Sequence, residues 1–122
     1  MNSIEQLEDE QYERDHQHYI DTVVKPIVDK LDIHVGDIYE HCSYHPVRCT
    51  EIDIDNDDIS GISLVNGVGP MSCSFVHCGV RKLTEQEAQQ IVDLWNTGGE
   101  RAVLIHRGWT EEAVDKFIKE WR

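Results

Sequence analysis

The chain has 122 residues, of which 11 are Lys or Arg and 24 are Asp or Glu, and its formal net charge is −13 at pH 7. A hydrophobic content of 39% with three tryptophans excludes a wholly disordered chain, and the length suits one domain with its own core. The negative charge disfavours direct binding to nucleic acid or to an anionic membrane. We therefore expect a single domain over residues 1–122 that binds neither.

The negative charge is concentrated in the first half of the chain. Residues 1–58 contain 16 acidic side chains against four Lys or Arg, whereas residues 59–122 contain eight against seven. A surface with one sign of charge attracts a surface of the opposite sign over long range. The sequence therefore predicts a basic protein as the partner, and it makes no prediction of the oligomeric state.

The N-terminal sequence predicts a protein of the cytoplasm. It lacks the basic stretch followed by an apolar segment that a secretory signal requires. No apolar run approaches the roughly 18 to 20 residues of a membrane span. In a reducing compartment, the four cysteines are expected to be thiols or metal ligands in preference to disulfides.

Residues 1–32 are predicted to form an acidic helix. Ser3 and Gln6 have the spacing of a capping box, and apolar residues recur at helical spacing later in the segment. These apolar residues are Ile20, Val23, Val24, Ile27, Val28 and Leu31. The acidic part before them should face solvent, and Pro26 should bend the helix because proline has no backbone donor.

Short β-branched segments in residues 35–83 predict an antiparallel β meander. The expected strands cover residues 37–41, 47–54, 59–65, 71–77 and 79–83, with turn-forming Asp, Asn and Gly residues between them. In length and spacing, this region resembles a small SH3-like barrel. The resemblance implies an architecture and no ligand, because no binding motif accompanies it.

Residues 84–122 are predicted to be helical. Thr84 and Glu87 form a capping box, Gly98 and Gly99 should end the helix that follows, and Thr110 can cap a last one. The unbroken apolar run within 101–106 is compatible with a short helix or a strand, and it is interpreted as helix. The predicted fold class is α+β, with a small antiparallel sheet or SH3-like barrel flanked by an N-terminal helix and two or three C-terminal helices.

Cysteine and histidine residues concentrate between positions 41 and 78, and zinc prefers such ligands. The candidate metal ligands are Cys42, His45, Cys73, and His77 or Cys78, with His77 favoured if the strand at 71–77 runs straight, since alternate residues share a face. Structural zinc is therefore a candidate cofactor. The alternative, buried free cysteines and no cofactor, stays open.

Two acidic segments form the candidate partner-binding surface. The helical segment contributes Glu8, Glu10 and Glu13, the tip of the predicted hairpin contributes Glu51, Asp53, Asp55, Asp57 and Asp58, and Trp109 is the candidate aromatic anchor. If the two segments converge in the fold, they form one binding face.

Three functions are compatible with these patterns. The first is a small acidic cytoplasmic protein that inhibits or neutralises a basic partner by occlusion, similar in size and charge to immunity proteins and phage inhibitors, with a nucleic-acid-binding protein as one option for the partner. The second is a zinc-stabilised adaptor. The third is a Cys–His thiol enzyme, for which no catalytic residue is nominated because no catalytic signature surrounds any cysteine.

Overall fold

The computed structural model describes residues 4–121, with the side chains of residues 8–120, and the predicted capping box of Ser3 and Gln6 lies outside this description. Helices pack around a four-stranded antiparallel sheet, which confirms the α+β class. The helices are α1 (Ile4–Tyr19), α2 (Lys25–Leu31), α3 (Glu85–His106) and α4 (Glu111–Trp121), and the strands are β1 (Ile38–Glu40), β2 (Pro46–Asp53), β3 (Asp58–Ser63) and β4 (Arg81–Leu83).

The first two helices are joined by a π-helical turn over Ile20–Val24. The N–H of Lys25 donates to the carbonyl of Ile20, and Pro26, which has no N–H, lies at the start of α2. The irregularity predicted at this proline is therefore present. Ile20 and Val24 are buried, whereas most described side chains of α1 are exposed, as the apolar pattern predicts.

The sheet has the strand order β3-β2-β1-β4, and all neighbouring strands are antiparallel. The first three strands form a meander, and β4 returns to pair with β1, so that Tyr39 lies between Val47 and Lys82. The two edges are thus β3 and β4. Of the two predicted architectures, the small antiparallel sheet is the one observed.

The prediction of a strand over residues 71–77 is wrong. Among the described residues of this segment, Cys73 makes an isolated bridge with Ile59, and a turn follows it. The backbone N–H groups of Phe75 and Val76 donate to the carboxylate of Asp57, at 3.0 and 3.3 Å. These donors are therefore unavailable to a neighbouring strand.

Two hydrophobic cores lie on opposite faces of the sheet. Tyr39 of β1 is fully buried in the larger core, together with residues of the π-helical turn, α2 and the segment 71–80. Its neighbour Ile38 belongs to the other core, which Leu83, Ala88 and Ile91 complete beneath α3. The sheet is therefore covered on one face by the π-helical turn and α2 and on the other by α3.

The helical predictions for the C-terminal part are confirmed. Both bonds of the capping box between Thr84 and Glu87 are present, and Gly99 interrupts α3 with a φ of 63°. Residues 101–106 are helical, in the second part of α3. The N–H of Ala113 donates to Thr110 Oγ1 at 3.1 Å, so Thr110 caps α4.

Candidate functional site

The acidic helix α1 lies against the tip of the β2–β3 hairpin. The Nε2–H of His16 donates a hydrogen bond of 2.6 Å to the backbone carbonyl of Asp55, although the two residues are 39 positions apart. The π-helical turn after α1 also contacts the 3₁₀ turn Ile54–Asn56 at the hairpin tip. The structure therefore brings the two acidic segments together.

Carboxylates of both segments face solvent. Glu8 and Glu13 on α1 are exposed and Glu10 is half-buried, while Glu51 and Asp55 of the hairpin are exposed. We call these five residues the acidic surface. A surface rich in carboxylates attracts cations over long range.

Three further acidic residues of the hairpin are half-buried. Asp53 accepts a hydrogen bond of 2.7 Å from Asn56 Nδ2. Burial raises the pKa of the Asp58 carboxyl, and the nearby carboxylates of Asp53 and Glu51 raise it further. The sequence nominates these side chains as partner contacts. In the structure, they already interact with other groups of the hairpin.

Asp57 has the most internal contacts of the hairpin carboxylates. Its backbone adopts the left-handed conformation, with a φ of 50°, and its carboxylate accepts from the hydroxyl of Ser74 as well as from the N–H groups of Phe75 and Val76. Asp and Asn tolerate this conformation better than other non-glycine residues. Asp57 therefore anchors the segment 74–76 to the hairpin, and its carboxylate is engaged within the fold.

Trp109, the nominated aromatic anchor, lies between α3 and α4. Its ring packs edge-on against Phe117, with the centroids 5.6 Å apart and the planes at 76°. The indole is half-buried and lines a cavity between the β1–β2 turn, α3 and α4. Its observed ring contact is thus with α4.

His41, Cys42 and Cys73 form a cluster that could bind a metal ion. Their ligand atoms all lie within 4.8 Å of one another. His41 and Cys42 follow β1 directly, and the bridge with Ile59 brings Cys73 to them from another part of the chain. The N–H of Cys42 donates to Cys73 Sγ at 3.4 Å, a contact that would stabilise a thiolate at this position.

Cys78 lies beside this cluster because the chain turns back after Cys73. The N–H of Cys78 donates to the carbonyl of Ser74 at 3.1 Å, and the N–H of Ser74 donates to Cys78 Sγ at 3.4 Å. The thiols of Cys42 and Cys78 both neighbour the Cys73 thiol. The preference for His77 assumed a straight strand, and the turn removes the basis for it.

The two nominated histidines are not among the three clustered ligands, although the carbonyl of His45 accepts from the His41 N–H at 2.9 Å. His45 Nδ1 is hydrogen-bonded to Ser63 Oγ at 2.9 Å, and the ring lies 4.6 Å from Trp95. His77 is exposed, and its backbone N–H donates to Ser74 Oγ at 3.0 Å. His41, which sequence reasoning did not nominate, belongs to the cluster instead, and its position next to Cys42 is the signal that could have identified it.

The buried thiols do not have the environment of nucleophiles. Burial raises the pKa of Cys73 to about 12 and also raises the pKa of Cys49. A nucleophilic cysteine requires a lowered pKa, since the thiolate is the reactive form. Neither residue therefore favours the thiol enzyme.

No protein family, curated protein or solved structure matches the chain. Within the described residues, every helix is too short or too polar to cross a membrane. The function is therefore inferred from the geometry of the chain's own residues.

Proposed function

We propose that this chain is a small acidic protein-binding module of the cytoplasm that covers the basic surface of a partner protein. The observation that carries the proposal is the hydrogen bond from His16 to the Asp55 carbonyl, because it joins the acidic helix to the acidic hairpin tip. Exposed carboxylates from both elements then make this region predominantly negative, although Arg14 lies on α1 and Lys25 interacts with Asp55. Such a surface increases the rate of encounter with a basic partner and selects against acidic ones.

The favoured partner is a nucleic-acid-binding protein. Clustered Lys and Arg side chains that neutralise phosphates are the characteristic basic surface of that class. A surface of exposed carboxylates can occupy those side chains in place of phosphates. The inhibitory mechanism is then steric and electrostatic occlusion of the nucleic-acid site.

Two charge-reversal variants with equal net charge test this proposal. We expect E13K/D55K, in the acidic surface, to weaken binding of the partner captured by the wild-type chain at low salt by roughly tenfold or more, because like charges would then face each other. The matched control E112K/E120K reverses two exposed charges of α4 and should retain near wild-type affinity. Affinities are measured by titration after capture and identification of the partner.

The salt dependence provides a second readout of the same proposal. Binding should weaken progressively and be largely lost at about 0.5 M salt, where charges are screened over a few ångströms. Equal loss of affinity in both double variants would show that total charge matters and the acidic surface does not. Capture that resists salt would also contradict the proposal.

A second candidate function is a zinc-stabilised adaptor, and the cluster of His41, Cys42 and Cys73 favours it. With Cys78 as a fourth ligand, the set becomes three cysteines and one histidine, a frequent closed combination for structural zinc. The metal would fix the β1–β2 turn to the segment after β3. This role is compatible with partner binding by the acidic surface, and metal analysis of reduced, purified protein is expected to give one zinc ion per chain.

A further inference from the structure

Two neighbouring thiols of the Cys/His cluster differ in their access to solvent. Cys42 is exposed in the β1–β2 turn, whereas Cys73 is buried, with only 4% of its surface exposed. Their sulfur atoms lie within 4.8 Å of each other, although the two residues are 31 positions apart in the chain. A small oxidant in solution can therefore reach Cys42, and a second thiol lies beside the sulfur that it would attack.

Hydrogen bonds hold the backbone on both sides of this thiol pair. The N–H of Cys42 donates to Cys73 Sγ at 3.4 Å, and the N–H of Ser43 donates to His41 Nδ1 at 3.0 Å. On the other side, the N–H of Cys73 donates to the carbonyl of Ile59 at 2.8 Å, and its carbonyl accepts from the Ile59 N–H at 2.9 Å. A disulfide bond is about 2 Å long, so the two sulfurs have to approach by less than about 3 Å to form one. Rotation of the exposed Cys42 side chain can supply much of that movement.

We propose that Cys42 and Cys73 are a pair of thiols that hydrogen peroxide converts to a disulfide. In the first step, the Cys42 sulfur attacks one oxygen of the peroxide, the O–O bond breaks, and a sulfenic acid and one water form. In the second step, the Cys73 sulfur attacks the Cys42 sulfur and the S–S bond forms. The sulfenic hydroxyl leaves with the proton of the Cys73 thiol as a second water. The two thiols are thereby oxidised, and one peroxide is reduced to two waters.

The order of the two steps follows from the burial of the thiols. Peroxide meets Cys42 first because Cys73 is shielded from solvent. Burial also raises the pKa of Cys73 to about 12, which slows its attack, but the second step is intramolecular and proximity accelerates it. Cys78 also neighbours the Cys73 thiol, but it is half-buried, so the exposed Cys42 is the favoured partner in the disulfide.

The same two thiols belong to the candidate zinc site. A disulfide between them would remove two ligands of the metal, so peroxide would release zinc from the chain. This release rests on the zinc-stabilised adaptor proposed above, whereas the oxidation itself requires no metal. The disulfide would join the β1–β2 turn to the segment after β3, which is the connection that the metal would otherwise make.

Mass spectrometry of the full chain, first reduced and then treated with hydrogen peroxide, tests the thiol pair. We expect the intact mass to fall by two hydrogen atoms, a peptide map to link Cys42 to Cys73, and a thiol reductant to reverse the change. C42S changes an exposed side chain, and it should slow the loss of the Cys73 thiol by about tenfold or more. C49S is the matched control and should form the same disulfide as the wild-type chain, because the Cys49 thiol contacts the carbonyl of Glu51.

The position of the disulfide and the zinc content decide between the outcomes. A link between Cys73 and Cys78, or between the Cys42 residues of two chains, would overturn the proposed pair. So would a C42S chain that loses the Cys73 thiol as fast as the wild-type chain does. Absence of the disulfide both in the chain as purified and after zinc chelation would also overturn it. A Cys42–Cys73 disulfide in a chain that takes up no zinc would support the pair and contradict the adaptor, so the two failures are distinguishable.

Discussion

Replacement of Asp57 by alanine is expected to lower the free energy of unfolding by about 2–4 kcal/mol. The Asp57 carboxylate accepts three hydrogen bonds, from the Ser74 hydroxyl and from the N–H groups of Phe75 and Val76. Alanine removes all three, and it also tolerates the left-handed backbone at this position less well than Asp does. Urea denaturation measures the change.

The neighbouring carboxylate provides a matched control for this prediction. Asp55 lies in the same turn and is exposed, and it holds His16 through its backbone carbonyl, which alanine retains. D55A should therefore change stability by no more than about 0.5 kcal/mol. D57N should cost less than D57A, because it keeps an acceptor oxygen and the tolerance for positive φ. Similar losses in D55A and D57A would show that Asp57 is not an internal anchor.

In the proposed zinc-stabilised adaptor, C73S is expected to abolish zinc binding and to lower the melting temperature by roughly 10 °C or more. The reason is that the binding free energy of a structural zinc ion contributes directly to folding. Cys49 is the matched control, because it is also buried and its thiol contacts the carbonyl of Glu51 instead of the cluster. C73S and C49S thus each introduce a hydroxyl in a buried position.

Chelation separates the metal contribution from the cost of the buried hydroxyl. A zinc chelator should lower the melting temperature of the wild-type chain and of C49S, and it should have no effect on C73S, which has no zinc to lose. The same chelator response in all three proteins would contradict the assignment of Cys73 as a ligand. A wild-type chain that is purified without zinc and cannot take it up would rule out the adaptor in its zinc-stabilised form.

The sequence predicts the regular elements well because each depends on local patterns. The capping box of Thr84, the cap at Thr110 and the interruption at Gly99 are short-range signals, and all are present in the structure. The segment 71–77 alternates apolar and polar residues as a strand does, but the carboxylate of Asp57 binds two of its backbone donors. That contact joins residues almost 20 positions apart. The alternation of residues within one segment gives no information about such a contact.

The candidate metal site was only partly predictable for the same reason. The turn that follows Cys73 places the thiol of Cys78 beside it, whereas strand alternation would have separated the two. His45 has the better spacing from Cys42, but its ring is held by Ser63 and Trp95, which come from distant parts of the chain. The convergence of the acidic segments likewise depends on long-range contacts, among them the hydrogen bond from His16 to Asp55.

Hydrogen–deuterium exchange of the chain bound to its captured partner tests the acidic surface most directly. The described part of α1 buries few side chains, so its amides should exchange rapidly in the free chain. On binding, we expect slower exchange in residues 8–19 and 51–58 together, because both segments contribute to one contact. Protection confined to α3 and α4, with those two segments unchanged, would contradict the proposed binding surface.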